Sequence, residues 1–528
     1  MSATARTLAR AGMVVTGAYL ASRLLGWLRT VVISSIYGAS PDLDAYFAAF
    51  RIPDLVFQLV AAGALSSALI PVIAGLIAND EEARSWRVVS TIANLMLVAL
   101  VVLSGAMAIG APWLVPIITP GFGPAQTDLT VELTRIMLLS PILLALGALA
   151  TSVLNARDRF SVASLAPIAY NVAIITFAVI LAPILGIEGL AIAVVLGSAA
   201  HLLVQLPAIL RMPGFRYRLV ADIRDPAARE AFLLMAPRAL GLGVTQITFL
   251  VNTSLASTLA TGSIVAYNVA FTIVQIPLGV IGVPLGVVLL PSMSRAMAVG
   301  DSGQYARLIG RALRLLLYVM LFLTAMTIVL RQQVVTLLFD YGNFSSDAVA
   351  LTAQTLLFFA IGLAGHAMIV VLARAFYADK DTRTPVVAAI LSVVVNVTVS
   401  VALVGRLGLA GLALGIAAGA WFEASLLAAL LWRRTPALSG SGIVRAFATF
   451  ALGALMAGVV AAVVAYGTGL VLGPAVFDSK VLVLLQASLA FAAAGLAYLG
   501  YSQVLRLPEF RETLAIAAAA LRRERPAP

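Results

Sequence analysis

The stretch "GIEGLAIAVVLGSAAHLLVQLPAILR", residues 186–211, is apolar almost throughout and interrupted only by Glu188, Ser198, His201 and Gln205 before the closing Arg211. A run of about 20 such residues, rising 1.5 Å each, crosses the ~30 Å hydrocarbon layer of a bilayer. The same pattern returns as "GLAGLALGIAAGAWFEASLLAALLWR", residues 408–433, at an offset of 222 that brings His201 opposite Glu423. A second, weaker match pairs "AYFAAFRIP" (45–53) with "AYNVAFTIVQIP" (266–277), each followed by a later proline, Pro71 and Pro291. Two matches in the same order read as an internal duplication. Separated by about six spans, the copies share one orientation and are related by an axis along the membrane normal.

Working outward, the fold class is an all-α polytopic membrane protein. Of 528 residues, 62% are hydrophobic and 11% charged, and the mean hydropathy is +1.05. Breaking the apolar runs at polar, Gly and Pro clusters gives fourteen expected transmembrane helices, near 11–36, 44–78, 89–111, 132–154, 161–182, 188–210, 231–258, 264–291, 315–330, 349–373, 385–404, 409–432, 446–471 and 482–505. The first run holds arginines, lacks a small-residue cleavage site and leads into another span, so it is not read as a cleavable signal. With no cysteine there is no disulfide or thiolate metal site.

The net charge of +11 does not form a nucleic-acid patch, because the basic residues are spread between the spans. With the N-terminus placed inside, 26 of the 34 Lys and Arg fall in inside segments, and only Arg331, Arg406 and Lys480 fall outside. Basic loops resist translocation, so both termini are expected to be cytoplasmic. The expected organisation is an N-terminal six-helix lobe (1–211), a C-terminal six-helix lobe (212–435), two additional helices (436–507) and a cytoplasmic amphipathic tail (508–528).

Five arginines remain within or at the ends of spans: Arg23, Arg29, Arg51, Arg135 and Arg238. An arginine at mid-bilayer costs at least ~2.5 kcal/mol and by default faces a bundle interior or a water-filled cavity. Arg23 and Arg29 stand roughly 9 Å apart along a helix and about 120° apart around it, so both can border one wide cavity. Gly26 lies between them as a point where the helix can bend. In the second span Asp44 and Arg51 share a face, and Arg51 and Asp54 are near enough to pair. Pro53, Pro71 and, in the eighth span, Pro277 interrupt the helical ladder as gating helices do. The structural alternative is that Arg23 snorkels and Asp54 neutralises Arg51. Snorkelling suits Arg135, whereas both readings stay open for Arg238. His201, His366 and Glu423 are read as packed, hydrogen-bonded polar residues, with ion coupling open for Glu423. A cationic cavity suits an anionic substrate, since guanidinium groups bind phosphate through paired hydrogen bonds. No Walker loop, metal-binding His cluster or paired carboxylates point to an enzyme.

Taken together, "SRLLGWLRT" (22–30), "YGASPDLDAYFAAFRIPDL", "GALSSALIPVI", "PGF" (120–122), "LNARDRFSVASLAP" (154–167), "VNTSLAS" (251–257), "LLPSMSRA" (289–296), "LFDYGNFS" (338–345) and "FYADKDTRTPV" (376–386) resemble the MurJ/MviN family over roughly residues 10–435. The resemblance implies the multidrug/oligosaccharidyl-lipid/polysaccharide exporter fold, with two extra helices forming a lipid groove. It also implies flipping of lipid II, the undecaprenyl-diphosphate-linked cell-wall precursor. It places Arg23 and Arg29 at the family's first-helix cavity arginines and Asp44 at the acid near the outer gate. The sequence departs from the family at Thr30, Phe57, Ala62, Thr272 and Gln275, where charged residues are usual; Arg51 and Arg238 are candidates to replace them. The alternatives are a flippase for another polyprenyl-diphosphate glycan, a multidrug exporter, or a membrane-embedded glycan polymerase. No cofactor is expected, and a monovalent cation or the membrane potential is open as an energy source. Expected partners are lipid II or a related glycolipid, membrane lipids and cell-wall synthesis machinery, with no nucleic acid.

Overall fold

A computed structural model describes the backbone of residues 3–60 and 64–513, and side chains there except 3–16, 64–67, 236–242, 244, 245, 474 and 475. The described chain divides into two compact units, Met1–Val265 with Tyr341–Ser345, and Ala266–Asp340 with Ser346–Pro528. The first unit contains α1 (Ala3–Tyr37), α2 (Pro41–Ala49), α3 (Arg51–Val60), α4 (Ala64–Ala78), α5 (Glu82–Ile118), α6 (Pro124–Met137), α7 (Ser140–Ala156), α8 (Phe160–Leu203), α9 (Leu206–Leu210) and α10 (Pro226–Ser257). The boundary falls inside α11 (Ser263–Pro277). The second unit continues with α12 (Val283–Ala298), α13 (Ser302–Val329), α14 (Arg331–Phe339), α15 (Ser346–Ile361), α16 (Leu363–Ala378), α17 (Arg383–Leu407), α18 (Leu409–Arg434), α19 (Ile443–Leu472) and α20 (Lys480–Val504).

The duplication seen in the sequence is repeated in the backbone of the two units. Gly186 interrupts α8 at φ 58, ψ −137, and Gly408 separates α17 from α18 at φ 55, ψ −132. Residues with a Cβ avoid this region, so both reversals need glycine. After each reversal the returning helix packs closely on the outgoing one. A Cβ on Gly189 would lie 2.8 Å from the Leu181 carbonyl oxygen, and one on Gly411 would lie 2.8 Å from the Leu403 carbonyl carbon. Two turns further on, Gly197 and Gly419 approach the carbonyl oxygens of Tyr170 and Ser392, where a Cβ would stand 3.0 Å away in both cases. Every residue in these pairs is offset by the 222 positions of the sequence repeat.

Among the described residues, nine helical stretches are long and apolar enough to cross a membrane, or ten if the pair α15 and α16, bent by 43°, counts as one span. The exact count of fourteen is therefore not confirmed. The stretch Phe160–Leu210 is one of the nine, yet it folds back at Gly186 and holds two expected spans. The expected spans 11–36, 44–78 and 231–258 fall on α1, on α2 to α4 and on α10. Their described parts are helical, but the second breaks at Phe50 and its residues 61–63 lie outside the described backbone, and all three lie partly outside the described side chains. Of the expected tail, residues 508–513 are helical, and 514–528 lie outside the described residues.

Polar pairs fasten the helix ends of the first unit. Arg84 at the start of α5 donates from Nε to Asp225 at 3.0 Å, while the other Asp225 oxygen accepts from the Ala227 N–H at 2.8 Å and caps α10. Arg157 meets Glu82 at 2.7 Å and lies 4.6 Å from the Trp86 ring centroid. In the second unit, α13 packs against α19 and α20 through aromatic and hydroxyl contacts. Tyr318 lies edge-on to Phe450, shares a 2.9 Å hydrogen bond with Ser502, and accepts at its carbonyl from the Tyr498 hydroxyl. In an apolar solvent such bonds supply specificity that hydrophobicity cannot. The opposite side of α19 carries Val444, Leu452, Leu455, Val459, Val463 and Tyr466, all exposed at helical spacing as a lipid-facing stripe.

Gly186→Ala should destabilise the protein by about 1–3 kcal/mol, the cost of a side chain in a glycine-only backbone region. Gly105→Ala, in a helix with nothing within 4 Å of the added Cβ, should change little; unfolding midpoints in detergent give the comparison. The Arg84 hydrogen bond holds the Asp225 carboxyl below its ordinary range. Its stabilising contribution is complete above the unfolded carboxylate value, about 3.9, and is lost as pH falls through the lower folded value. Arg84→Gln should remove that acid-dependent increment while leaving the slope of stability near neutral pH unchanged, as read from melting midpoints between pH 3 and 7.

Candidate functional site

The first unit brings several of the expected site residues onto α1, α2, α3 and their packing partners. Arg23 is exposed on α1, with its Nε 3.2 Å from the Tyr19 hydroxyl and its guanidinium carbon 5.2 Å from that ring centroid. Arg29, two turns further on, is partly buried and faces α8, where its guanidinium lies 5.6 Å from the Tyr170 ring centroid. Neither arginine has an ion pair among the described residues. Gly26 leaves α1 uninterrupted from Ala3 to Tyr37. Its open side lies beside Asn171, whose buried Oδ1 has no hydrogen-bond partner.

Asp44 is 3% exposed and is fully engaged. Its Oδ2 accepts from the Gly262 N–H at 2.6 Å and its Oδ1 from the Val265 N–H at 2.9 Å. These amides open α11, so Asp44 on α2 caps a helix more than 200 residues away in sequence. A carboxylate there satisfies amides that have no partner within their own helix and complements the positive end of its dipole.

The helix carrying Asp44 breaks at Phe50, between α2 and α3. Pro53 is the cause, since without an N–H it cannot bond the Ala49 carbonyl four residues back. That carbonyl instead accepts from the Thr134 hydroxyl of α6 at 3.4 Å. Past the break, Arg51 donates from Nε to the Thr253 hydroxyl at 2.8 Å and lies 5.3 Å from the Phe249 ring centroid. Asp54 accepts from Gln246 at 2.5 Å and from Gln58 at 3.5 Å. Thr253, Phe249 and Gln246 all belong to α10, so both charges tie α3 to that helix. The sequence reading treated Arg51 and Asp54 chiefly as each other's neighbours and did not identify these distant partners. The available signal was the seven-residue spacing of Gln246 and Thr253, which puts both on one side of α10.

The other expected residues are distributed more widely. Pro71 lies within α4 without ending it, and Pro277 ends α11, where the backbone opens into a π-helical turn over Leu278–Gly282. Arg238 lies on α10, but its side chain is outside the described residues, as is Ala62. Arg135 reaches the Ala108 carbonyl at 3.0 Å. His201 packs against Gly147, and its buried Nδ1 lacks a hydrogen-bond partner. Among the described residues no group of three His, Cys, Asp or Glu could hold a metal.

Asp44→Asn keeps the size but leaves one α11 amide facing an N–H₂ group. A loss of about 1–3 kcal/mol is expected for a buried donor left unsatisfied, measured as a lowered unfolding midpoint. Asp42→Asn, exposed two residues earlier on α2, serves as the control and should be silent.

The family model described as "Lipid II flippase MurJ" matches residues 33–479. The chain is 34% identical over 434 residues to "Lipid II flippase MurJ" of Burkholderia cenocepacia, covering 79% of this chain and 82% of that one. It is 32% identical over 428 residues to "Probable lipid II flippase MurJ" of Rhizobium meliloti, covering 79% and 80%. Among solved structures, "Lipid II flippase MurJ, inward closed conformation" aligns with a TM-score of 0.77 at 21% identity, over 95% of this chain and 100% of that one. An inward-facing MATE family multidrug resistance transporter aligns at 0.67 and 16% identity, over 81% and 99%. The extent of the family match, with a relative above 30% identity over most of both chains, establishes that this chain belongs to the MurJ family.

Proposed function

We propose that this protein is a lipid II flippase, moving the undecaprenyl-diphosphate-linked precursor from the inner to the outer leaflet of a bacterial cytoplasmic membrane. It does so by alternating access, with both termini cytoplasmic. The observation that carries this reading is the placement of Arg23 and Arg29 on α1 with no ion pair among the described residues, in a chain whose apolar runs hold few charges. A diphosphate cannot cross hydrocarbon unaided, because its burial costs far more than any single contact returns. Unpaired guanidinium groups can exchange with it, while the polyprenyl tail stays in lipid. Asp44, Arg51 and Arg238 are proposed to complete the substrate path, with Pro53 and Pro277 at helix breaks and Gly26 and Pro71 as points where the unbroken helices α1 and α4 would bend during the cycle. No covalent step or nucleotide is required. Moving two negative charges outward across ~100 mV would itself yield roughly 4–5 kcal/mol.

Expression in bacteria depleted of their own lipid II flippase tests the proposal. The unaltered protein and Arg135→Ala should restore growth, whereas Arg23→Ala and Arg29→Ala should fail at equal membrane abundance. Growth supported by the double variant Arg23→Ala/Arg29→Ala would overturn it.

A further inference from the structure

One helical turn separates Tyr19 from Arg23 on α1, so the two side chains lie one above the other on the same face. The Arg23 Nε–H donates to the phenolic oxygen of Tyr19 at 3.2 Å, and this bond is exposed. The guanidinium carbon stands 5.2 Å from the ring centroid. Tyr19 is partly buried and Arg23 is exposed, so the phenol forms the inner side of the pair.

The contact uses the acceptor side of the phenol and leaves its donor side free. A phenolic hydroxyl both accepts and donates, whereas a guanidinium only donates, through five N–H groups. Arg23 Nε occupies a lone pair of the Tyr19 oxygen, and the Tyr19 O–H has no acceptor among the described residues. The N–H groups on Arg23 Nη1 and Nη2 likewise have no acceptor among them. Polar groups nearby are engaged instead with backbone. The Thr30 hydroxyl donates to the Gly26 carbonyl at 3.1 Å, and the Asn171 amide donates to the Pro167 carbonyl at 2.9 Å.

A phenol in this place differs chemically from a carboxylate. A carboxylate would cancel the charge of Arg23 and compete with an incoming anion, whereas tyrosine fixes the guanidinium without neutralising it. It also adds a donor on the same side. A phosphate oxygen that accepts from Nη comes alongside the phenolic O–H, and hydrogen bonds to an ionised group are roughly twice as strong as neutral ones.

We propose that Tyr19 is a substrate-binding residue, whose O–H donates to a phosphate oxygen of the polyprenyl diphosphate held by Arg23. The proposal rests on the reading of this chain as a flippase for such a lipid. It sets Tyr19 apart from a prop for Arg23, for which only the acceptor side of the phenol would matter.

The test is binding of undecaprenyl diphosphate to the purified full-length protein in neutral detergent, followed by native mass spectrometry. Tyr19→Phe keeps the ring and loses the hydroxyl. It should weaken binding about tenfold, or ~1.4 kcal/mol, the order of a hydrogen bond to a charged group. Tyr466→Phe, on the lipid-facing stripe of α19, should bind as the unaltered protein does. Replacing Tyr19 with meta-fluorotyrosine separates the donor from the prop, because fluorine makes the phenol a stronger donor and a weaker acceptor. At mildly acidic pH, where the hydroxyl stays protonated, binding should tighten; a prop would bind more weakly. Unchanged binding in Tyr19→Phe, weaker or unchanged binding with meta-fluorotyrosine, or an equal loss in Tyr466→Phe would overturn the assignment. Displacement of the lipid by an equal concentration of inorganic diphosphate would make this a site for the free anion and refute it as well. Arg23→Ala tests the underlying reading separately. If it binds undiminished, that reading and the proposal fall together, whereas its loss beside an unaffected Tyr19→Phe overturns the proposal alone.

Discussion

A backbone amide left unpaired in hydrocarbon costs several kcal/mol, so a helix that begins or breaks at membrane depth must be given partners from elsewhere. The first unit answers this at two points. Asp44 supplies both carboxylate oxygens to the opening amides of α11, and Thr134 takes the Ala49 carbonyl released by Pro53. The Thr134 hydroxyl of α6 thereby supports the break on which the placement of Arg51 and Asp54 depends, and Asp44 of α2 supports the start of α11. Without Thr134 the Ala49 carbonyl would stay unsatisfied at the break, since Pro53 has no N–H to offer it in any surroundings.

Much of this architecture was legible because membrane solvent imposes a simple code. Apolar runs, arginine position and the two aligned stretches were enough for the helical class and the duplication. The alignment set Gly186 opposite Gly408, but that these glycines carry the two reversals emerged only from their backbone angles. The number of crossings was harder to read, because a helix broken by Pro53 looks in sequence like one long apolar run. Within the site, residue types were informative and partners were not. That Arg29 would meet Tyr170, or Asp44 the amides of Gly262 and Val265, follows from how distant helices pack, and composition contains no record of packing.

The charges near the site differ in how firmly they are held. Asp44 has two short bonds to fixed backbone groups, whereas Arg51 and Asp54 take a hydroxyl and an amide from α10 side chains, alongside the attraction between their own charges. Arg23 is held less still, against the tyrosine one turn before it. The sequence Asp44, Arg51, Arg23 thus runs from a structural charge to an exchangeable one.

The two glycine reversals also bear on how the chain is assembled. Each joins helices adjacent in sequence, so each pair can close without waiting for distant segments, and local contacts form fastest. The close approach at Gly189 and Gly411 means that a pair docks tightly once its second helix enters the bilayer. The hairpin about Gly186 is complete well before the residues about Gly408 are translated, and at 5–20 residues per second the interval is of the order of ten seconds or more. The N-terminal copy therefore has time to settle as an independent insertion unit before its duplicate exists.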